Sequence, residues 1–155
     1  MWEGIMAGAA LAVSIITFVV TQRRSAQLEG MRAYLDLERE SDAHIYALLI
    51  QHDFLNTLFF ETPRIPPPSL ETSSEDLTPE HRAVLNFAEM LLDYFEQIVL
   101  LQRSGLMPKG VPQTWDPWMK SCTKAPCFRW AWLRVREGYH PDLQRVLEVD
   151  APAPG

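Results

Sequence analysis

Cysteine, glycine and basic residues are all scarce in this chain. It holds two cysteines and seven glycines in 155 residues, with a net charge of −6. Two cysteines exclude a disulfide-stapled scaffold, and no glycine-rich loop of the kind that cradles phosphate is present. A nucleic-acid-binding domain would normally display a basic surface, so the negative charge argues against that class as well.

The usual catalytic and metal-binding motifs are also missing. The sequence has no Gly-x-Ser-x-Gly elbow, no His-Glu-x-x-His motif, and not the two Glu-x-x-His motifs that a di-iron bundle needs. Cys122 and Cys127 lack the second ligand pair of a structural zinc site, so we expect them to be small buried thiols. His44 lies beside acidic residues, which is typical of a solvated helix face. We therefore predict a protein that is not an enzyme and that binds no metal or other cofactor.

Hydrophobic residues make up 47% of the chain and charged residues 22%, which suits a single globular domain. The charge is divided unevenly. Residues 29–96 contain 14 acidic side chains and 4 arginines, whereas residues 97–155 contain 8 basic and 5 acidic side chains. We expect the two halves to pack together. The alternative is a basic face that binds a partner or anionic lipid.

A run of 19 uncharged residues, 4–22, is the longest apolar segment. As a helix it would be roughly 28 Å long, close to the thickness of a bilayer's hydrocarbon core. A cleaved signal peptide fits poorly, because the residues before the run include Glu3 and no basic side chain. The run therefore predicts a single-pass transmembrane anchor over residues 1–24.

Arg23 and Arg24 follow the apolar run directly, and basic residues beside a span stay on the cytoplasmic side. We therefore expect the N terminus outside the cell membrane and residues 25–155 in the cytoplasm, where both cysteines would be reduced. Small residues recur every four positions along one side of the anchor. This spacing permits close helix packing and a homodimer in the membrane; the residues are Gly4, Gly8 and Ala12.

Residues 25–150 read as a helical domain, with a Pro-rich loop over 63–74 and a frayed tail over 151–155. The fold class is therefore mainly α: a transmembrane helix followed by a small helical bundle. Residues 27–60 predict one or two helices, and the anchor can run into them without a break. Local signals then predict four further helices: Thr78 caps one that ends near Ser104, Thr114 caps one through Cys122, Pro126 opens one that ends before Gly138, and Pro141 opens one to about Val149.

The helix that Thr78 caps is apolar on more than one face, which is typical of a central helix packed on several sides. Leu91 and Phe95 lie four residues apart and should share a buried face.

Aromatic residues concentrate after this central helix, interleaved with basic ones. Three interpretations are open: core packing, a partner-binding surface of aromatic and arginine side chains, or contact with anionic lipid headgroups. The candidate partner-binding residues are Trp115, Trp118, Trp130, Trp132, Arg129 and Arg134.

Three short stretches carry a resemblance: Asn86-Phe87-Ala88-Glu89, Tyr94-Phe95-Glu96, and Trp132-Leu133-Arg134 with Tyr139-His140-Pro141-Asp142. With the N-terminal anchor and the Arg-Arg pair, they make the chain similar to small bacterial single-pass membrane proteins of unknown function that have a helical cytoplasmic domain. The resemblance implies an architecture and no activity.

These features predict a non-enzymatic, membrane-anchored helical module that binds a protein partner, for example as an accessory subunit of a membrane assembly. The alternative is a membrane-tethered sensor or effector that holds a small ligand in a Trp-lined pocket. A deep pocket would favour the ligand, and a flat apolar patch would favour the partner.

Overall fold

The computed structural model describes the backbone of residues 2–107 and 111–148, and the side chains of residues 14–107, 111 and 114–148. Within these residues the chain is mainly helical and has no strand, so the predicted fold class is confirmed at this level. The α-helices are α1 (Trp2–Gln51), α2 (Pro79–Arg103), α3 (Pro112–Cys122), α4 (Pro126–Val135) and α5 (Pro141–Glu148), and two short 3-10 helices cover Asp53–Leu58 and Arg136–Gly138.

α1 is one unbroken helix of 50 residues, roughly 75 Å long at the usual rise per residue. It ends at Gln51, before the upper limit of the predicted 27–60 segment, and the 3-10 helix follows. Among its residues with described side chains, 14–51, those of the C-terminal half pack on the rest of the protein. Its buried side chains there are Tyr34, Leu37, Ser41 and Ile45.

Among the residues that the structure describes in full, no helix is both long enough and apolar enough to cross a membrane. About half of the predicted anchor, residues 4–13, lies outside the residues whose side chains are described, and so do the proposed packing residues Gly4, Gly8 and Ala12. The predicted tail 151–155 also lies outside the described residues.

α2 is the central helix. Its start follows from local chemistry: the Thr78 hydroxyl accepts a hydrogen bond from the His81 N–H at 3.2 Å, and Pro79 occupies the first helical position. Gly105 follows the helix with φ of +70°, a conformation that favours glycine. Leu91 and Phe95 are both fully buried, which confirms the predicted shared core face.

α3 begins at Pro112, two residues before the predicted cap at Thr114. The prediction of Thr114 as the cap was wrong because a proline at the first position already has a helical φ and lacks the donor that a cap would satisfy. The Thr114 N–H instead donates to the Val111 carbonyl at 3.0 Å, inside the first turn. α4 and α5 begin at Pro126 and Pro141 as predicted.

Hydrogen bonds join the acidic and basic halves of the chain. The Arg134 guanidinium donates to the carbonyls of Leu70 and Thr72, at 3.1 and 2.7 Å. The His140 N–H donates to the Glu96 carboxylate at 2.6 Å. The first set holds the Pro-rich segment 63–74, which forms a loop against α4, and the second joins α5 to α2.

Candidate functional site

The aromatic residues that follow α2 fall into two groups, one on α3 and one on α4. The larger group, on α4, belongs to the protein core. Trp130 and Trp132 on α4 are each 4% exposed, and Phe128 on the same helix is fully buried, 6.1 Å from the Phe95 ring of α2. Of the three interpretations, core packing therefore describes Trp130 and Trp132, which do not form a partner-binding surface. It also describes most of Trp115, which is 9% exposed and belongs to the same buried cluster. α4 packs directly on α2, so its aromatic side chains fill the interior, where they bury more apolar area than a surface position would allow.

Of the two candidate arginines of α4, Arg134 is engaged within the fold. The Arg134 guanidinium lies 5.5 Å from the centre of the Trp130 ring while it holds the 63–74 loop. This is an arrangement that stabilises the fold. Arg129 is partly buried on the same helix.

Trp115 and Trp118 on α3 form the second group and line an open groove of about 380 Å³ between α1 and α3. We call it the α1–α3 groove. α1 supplies one wall, and α3 supplies the other together with Phe59, which follows the first 3-10 helix. Its lining residues are Glu38, Asp42, Ile45, Tyr46, Leu49, Phe59, Thr114, Trp115 and Trp118.

Three aromatic rings form a continuous wall of this groove. The Phe59 and Trp118 rings stack at 6.3 Å with an angle of 19° between their planes, and Trp115 meets Trp118 edge to face at 5.3 Å and 70°. Phe95 of α2 supports the wall from behind, 5.1 Å from Trp118. Because Phe95 is fully buried, the wall rests on the protein core and is held in one geometry.

The carboxylate side of the groove is ordered by a chain of hydrogen bonds. The Trp115 indole N–H donates to the Tyr34 hydroxyl at 3.1 Å, and that hydroxyl donates to Glu38 Oε1 at 2.9 Å. Burial raises the pKa of Tyr34, and the negative charges of Glu38 and Asp42 raise it further, against the opposing effect of the Trp115 N–H. The hydroxyl therefore stays protonated at neutral pH and keeps the Glu38 carboxylate in place.

Sequence analysis identified Trp115 and Trp118 but missed the residues of α1 and Phe59. Glu38 and Asp42 are four residues apart, so their shared helix face could have been read from the sequence. Nothing local indicates that this face lies opposite α3, which follows about 70 residues later. Tyr46, at the exposed side of the groove, carried no signal of its own.

The cysteines and His44 are where sequence analysis placed them. Cys122 and Cys127 are buried free thiols; burial raises the pKa of Cys122 to about 12, and the Cys127 thiol donates to the Ile65 carbonyl at 3.1 Å. Both are therefore protonated and unreactive at neutral pH. His44 is exposed, with Nδ1 at 3.1 Å from the Tyr94 hydroxyl oxygen. In the described part of the chain, no group of three or more potential ligands could hold a metal ion.

Comparison with known proteins gives no match: no family model fits the chain, and no curated protein or solved structure is detectably similar to it.

Proposed function

We propose that this protein is a membrane-anchored, non-enzymatic helical module that docks a protein partner along the exposed side of α1 and in the α1–α3 groove. An accessory subunit of a membrane assembly is the role that suits such a module. The observation that carries the proposal is a line of exposed apolar side chains on α1 that leads into the groove.

Two observations support a membrane anchor: the uncharged run 4–22, and the exposure of the side chains in the second half of that run. Every side chain from residue 14 to residue 22 is exposed, and no part of the bundle covers them. The large apolar ones cover more than half of the helix circumference, and the rest carries uncharged Ser14, Thr17 and Thr21. Exposed apolar side chains over so wide an arc favour a non-aqueous environment, which a bilayer would provide. These residues are Ile15, Ile16, Phe18, Val19 and Val20.

A topology reporter tests the anchor. A reporter enzyme fused after Gly155 should behave as a cytoplasmic protein and should sediment with membranes, because Arg23 and Arg24 hold their end of the span inside. A chain that lacks residues 1–24 serves as the control and should lose the membrane association. Reporter activity outside the cytoplasm would contradict the orientation, and a full-length chain in the soluble fraction would contradict the anchor.

The docking face begins beyond the anchor. Leu28, Met31 and Leu35 are exposed and recur at intervals of three and four residues, so they form one stripe along α1. The same spacing continues through Glu38 and Asp42 into the groove. From Leu28 to the end of the groove the face is roughly 30 Å long. Its apolar part, from Leu28 to Leu35, is roughly 10 Å long, and adjacent exposed apolar side chains that continue into a groove are typical of a protein-binding surface.

Photocrosslinking in native membranes tests the docking face. A photoreactive phenylalanine analogue at position 35 or 46 should give a discrete adduct, because Leu35 and Tyr46 lie on the stripe and at the groove. Leu70 is the matched control, since it is 50% exposed and Leu35 is 51% exposed. An equal adduct pattern at position 70, or no adduct at 35 and 46, would contradict the proposal. An adduct of twice the chain's mass would identify a second copy of the chain as the partner.

A small-ligand sensor is the second candidate function, because the groove volume of about 380 Å³ lies within the range of small-molecule sites. Homodimerisation through Gly4, Gly8 and Ala12 is a separate proposal that still rests on the sequence spacing alone.

A further inference from the structure

We infer that the α1–α3 groove binds an organic cation, namely the ammonium or guanidinium group of a lysine or arginine side chain in the partner. The inference makes the proposed function more specific, and it depends on that function because the cation is assigned to the protein partner. The chemistry of the groove itself is independent of that source, and three features of the groove support it.

The aromatic wall is the first feature. Aromatic rings attract a cation that lies within about 6 Å of the ring centre, and indole is the best of them. Trp115 and Trp118 meet edge to face at 70°, so a cation beside the pair is attracted by the negative face of one ring and not by the positive edge of the other. Phe59 extends the wall beside Trp118, and Tyr46 adds a fourth ring at the exposed side.

The opposite side of the groove supplies the second feature, a pair of carboxylates. Glu38 and Asp42 lie one helical turn apart on α1 and both line the groove. Tyr34 donates to one oxygen of Glu38, and a carboxylate has acceptor sites for several further donors. Because Trp115 donates to the same Tyr34 hydroxyl, the aromatic wall and the Glu38 carboxylate are held in a fixed relation to each other.

The third feature is the match of size and surroundings. The groove volume of about 380 Å³ is large enough for a guanidinium or trimethylammonium group together with an alkyl stem. Ile45 and Leu49 offer apolar contacts for such a stem. Residues 29–96, which include the whole α1 side of the groove, carry 14 acidic side chains and 4 arginines. This excess of negative charge would attract cations.

Two probes test the inference: choline and its neutral carbon isostere, 3,3-dimethylbutan-1-ol. The binding of each is measured with the full chain in detergent micelles. The two probes share shape and differ in charge. We expect choline to shift the indole N–H resonances of Trp115 and Trp118, with an affinity about tenfold or more above that of the isostere. Equal affinity for the two probes, or no shift of these resonances with choline, would overturn the inference.

Charge-matched variants locate the site. Glu38→Gln with Asp42→Asn should weaken choline binding about tenfold, whereas Asp36→Asn with Glu40→Gln should change it less than about twofold, because Asp36 and Glu40 do not line the groove. Tyr46→Leu should also weaken choline binding. Because Tyr46 is exposed, this loss would not be explained by unfolding of the protein. Equal effects of the two double variants would show that only the general negative charge attracts the probe, and would overturn the site.

Short peptides separate the two sources of the cation. Acetyl-Gly-Lys-Gly-amide and its arginine counterpart should bind, and the norleucine counterpart, which lacks the charge, should bind about tenfold more weakly. Binding of the basic peptides supports the inference as stated. Binding of choline alone would overturn a lysine or arginine side chain as the ligand while leaving the cation site in place, and it would favour the small-ligand sensor. The crosslinking result with the partner is independent of these probes, so failure of either proposal can be recognised separately.

Discussion

Replacement of Phe95 by alanine should lower the free energy of unfolding by about 3–5 kcal/mol, because a buried aromatic side chain would be lost and a cavity would remain. Phe95 is fully buried on α2 and contacts three aromatic rings, with centres 5.1 Å away in Trp118, 6.1 Å in Phe128 and 6.4 Å in Trp115. Leu91→Ala should cost about 2–5 kcal/mol for the same reason. Denaturant unfolding of the full chain, followed by circular dichroism, measures both losses.

Leu100→Ala is the matched control for Leu91→Ala, because Leu100 lies on the same helix and is 41% exposed. Removal of the same atoms from this position should change the free energy of unfolding by about 0.5 kcal/mol or less. Similar losses for Leu91→Ala and Leu100→Ala would show that α2 is not the centre of the core. Phe95→Ala should also weaken choline binding, since Phe95 supports the aromatic wall of the α1–α3 groove.

Gly30→Ala should destabilise the protein by about 1–3 kcal/mol, the usual cost of overpacking, although alanine favours an α-helix by about 1 kcal/mol over glycine. The reason is the close approach of the chain that follows α2. A Cβ atom at position 30 would lie 2.5 Å from the Leu106 carbonyl oxygen and 2.9 Å from its carbonyl carbon. Those are backbone atoms, so the segment between α2 and α3 would have to move away from α1.

Gly138→Ala is the control for this change. A Cβ atom there would meet no heavy atom within 4 Å, and Gly138 has no positive φ. The variant should be unchanged or more stable by about 0.4–1 kcal/mol, because alanine restricts the unfolded chain. Thermal unfolding of the two variants side by side measures the difference. A more stable Gly30→Ala protein would contradict the tight contact between α1 and Leu106.

Local chemistry was enough to predict most of the helices. Thr78 and Pro79 begin α2 and Gly105 follows its end, because a hydroxyl cap, a proline φ and a left-handed glycine act within one turn of the chain. The prediction of Thr114 as the cap of α3 also failed for a local reason, because Pro112, two residues earlier, can begin the helix. Leu91 and Phe95 could be assigned to the core because the helical period places them on one face.

Packing between distant segments decided the rest. The sequence around Trp115, Trp118, Trp130 and Trp132 is uniformly aromatic and basic, and no local signal separates the two pairs. α4 lies against α2 and buries both of its tryptophans. α3 lies beside α1, so Trp115 is buried at the wall of a groove and Trp118 stays half-buried there. Helix propensity alone makes Gly30 a weak point of a long helix, whereas the structure places Leu106 directly against it. Helix starts depend on neighbours within a few residues, but the burial of a side chain depends on which surface arrives from elsewhere in the chain.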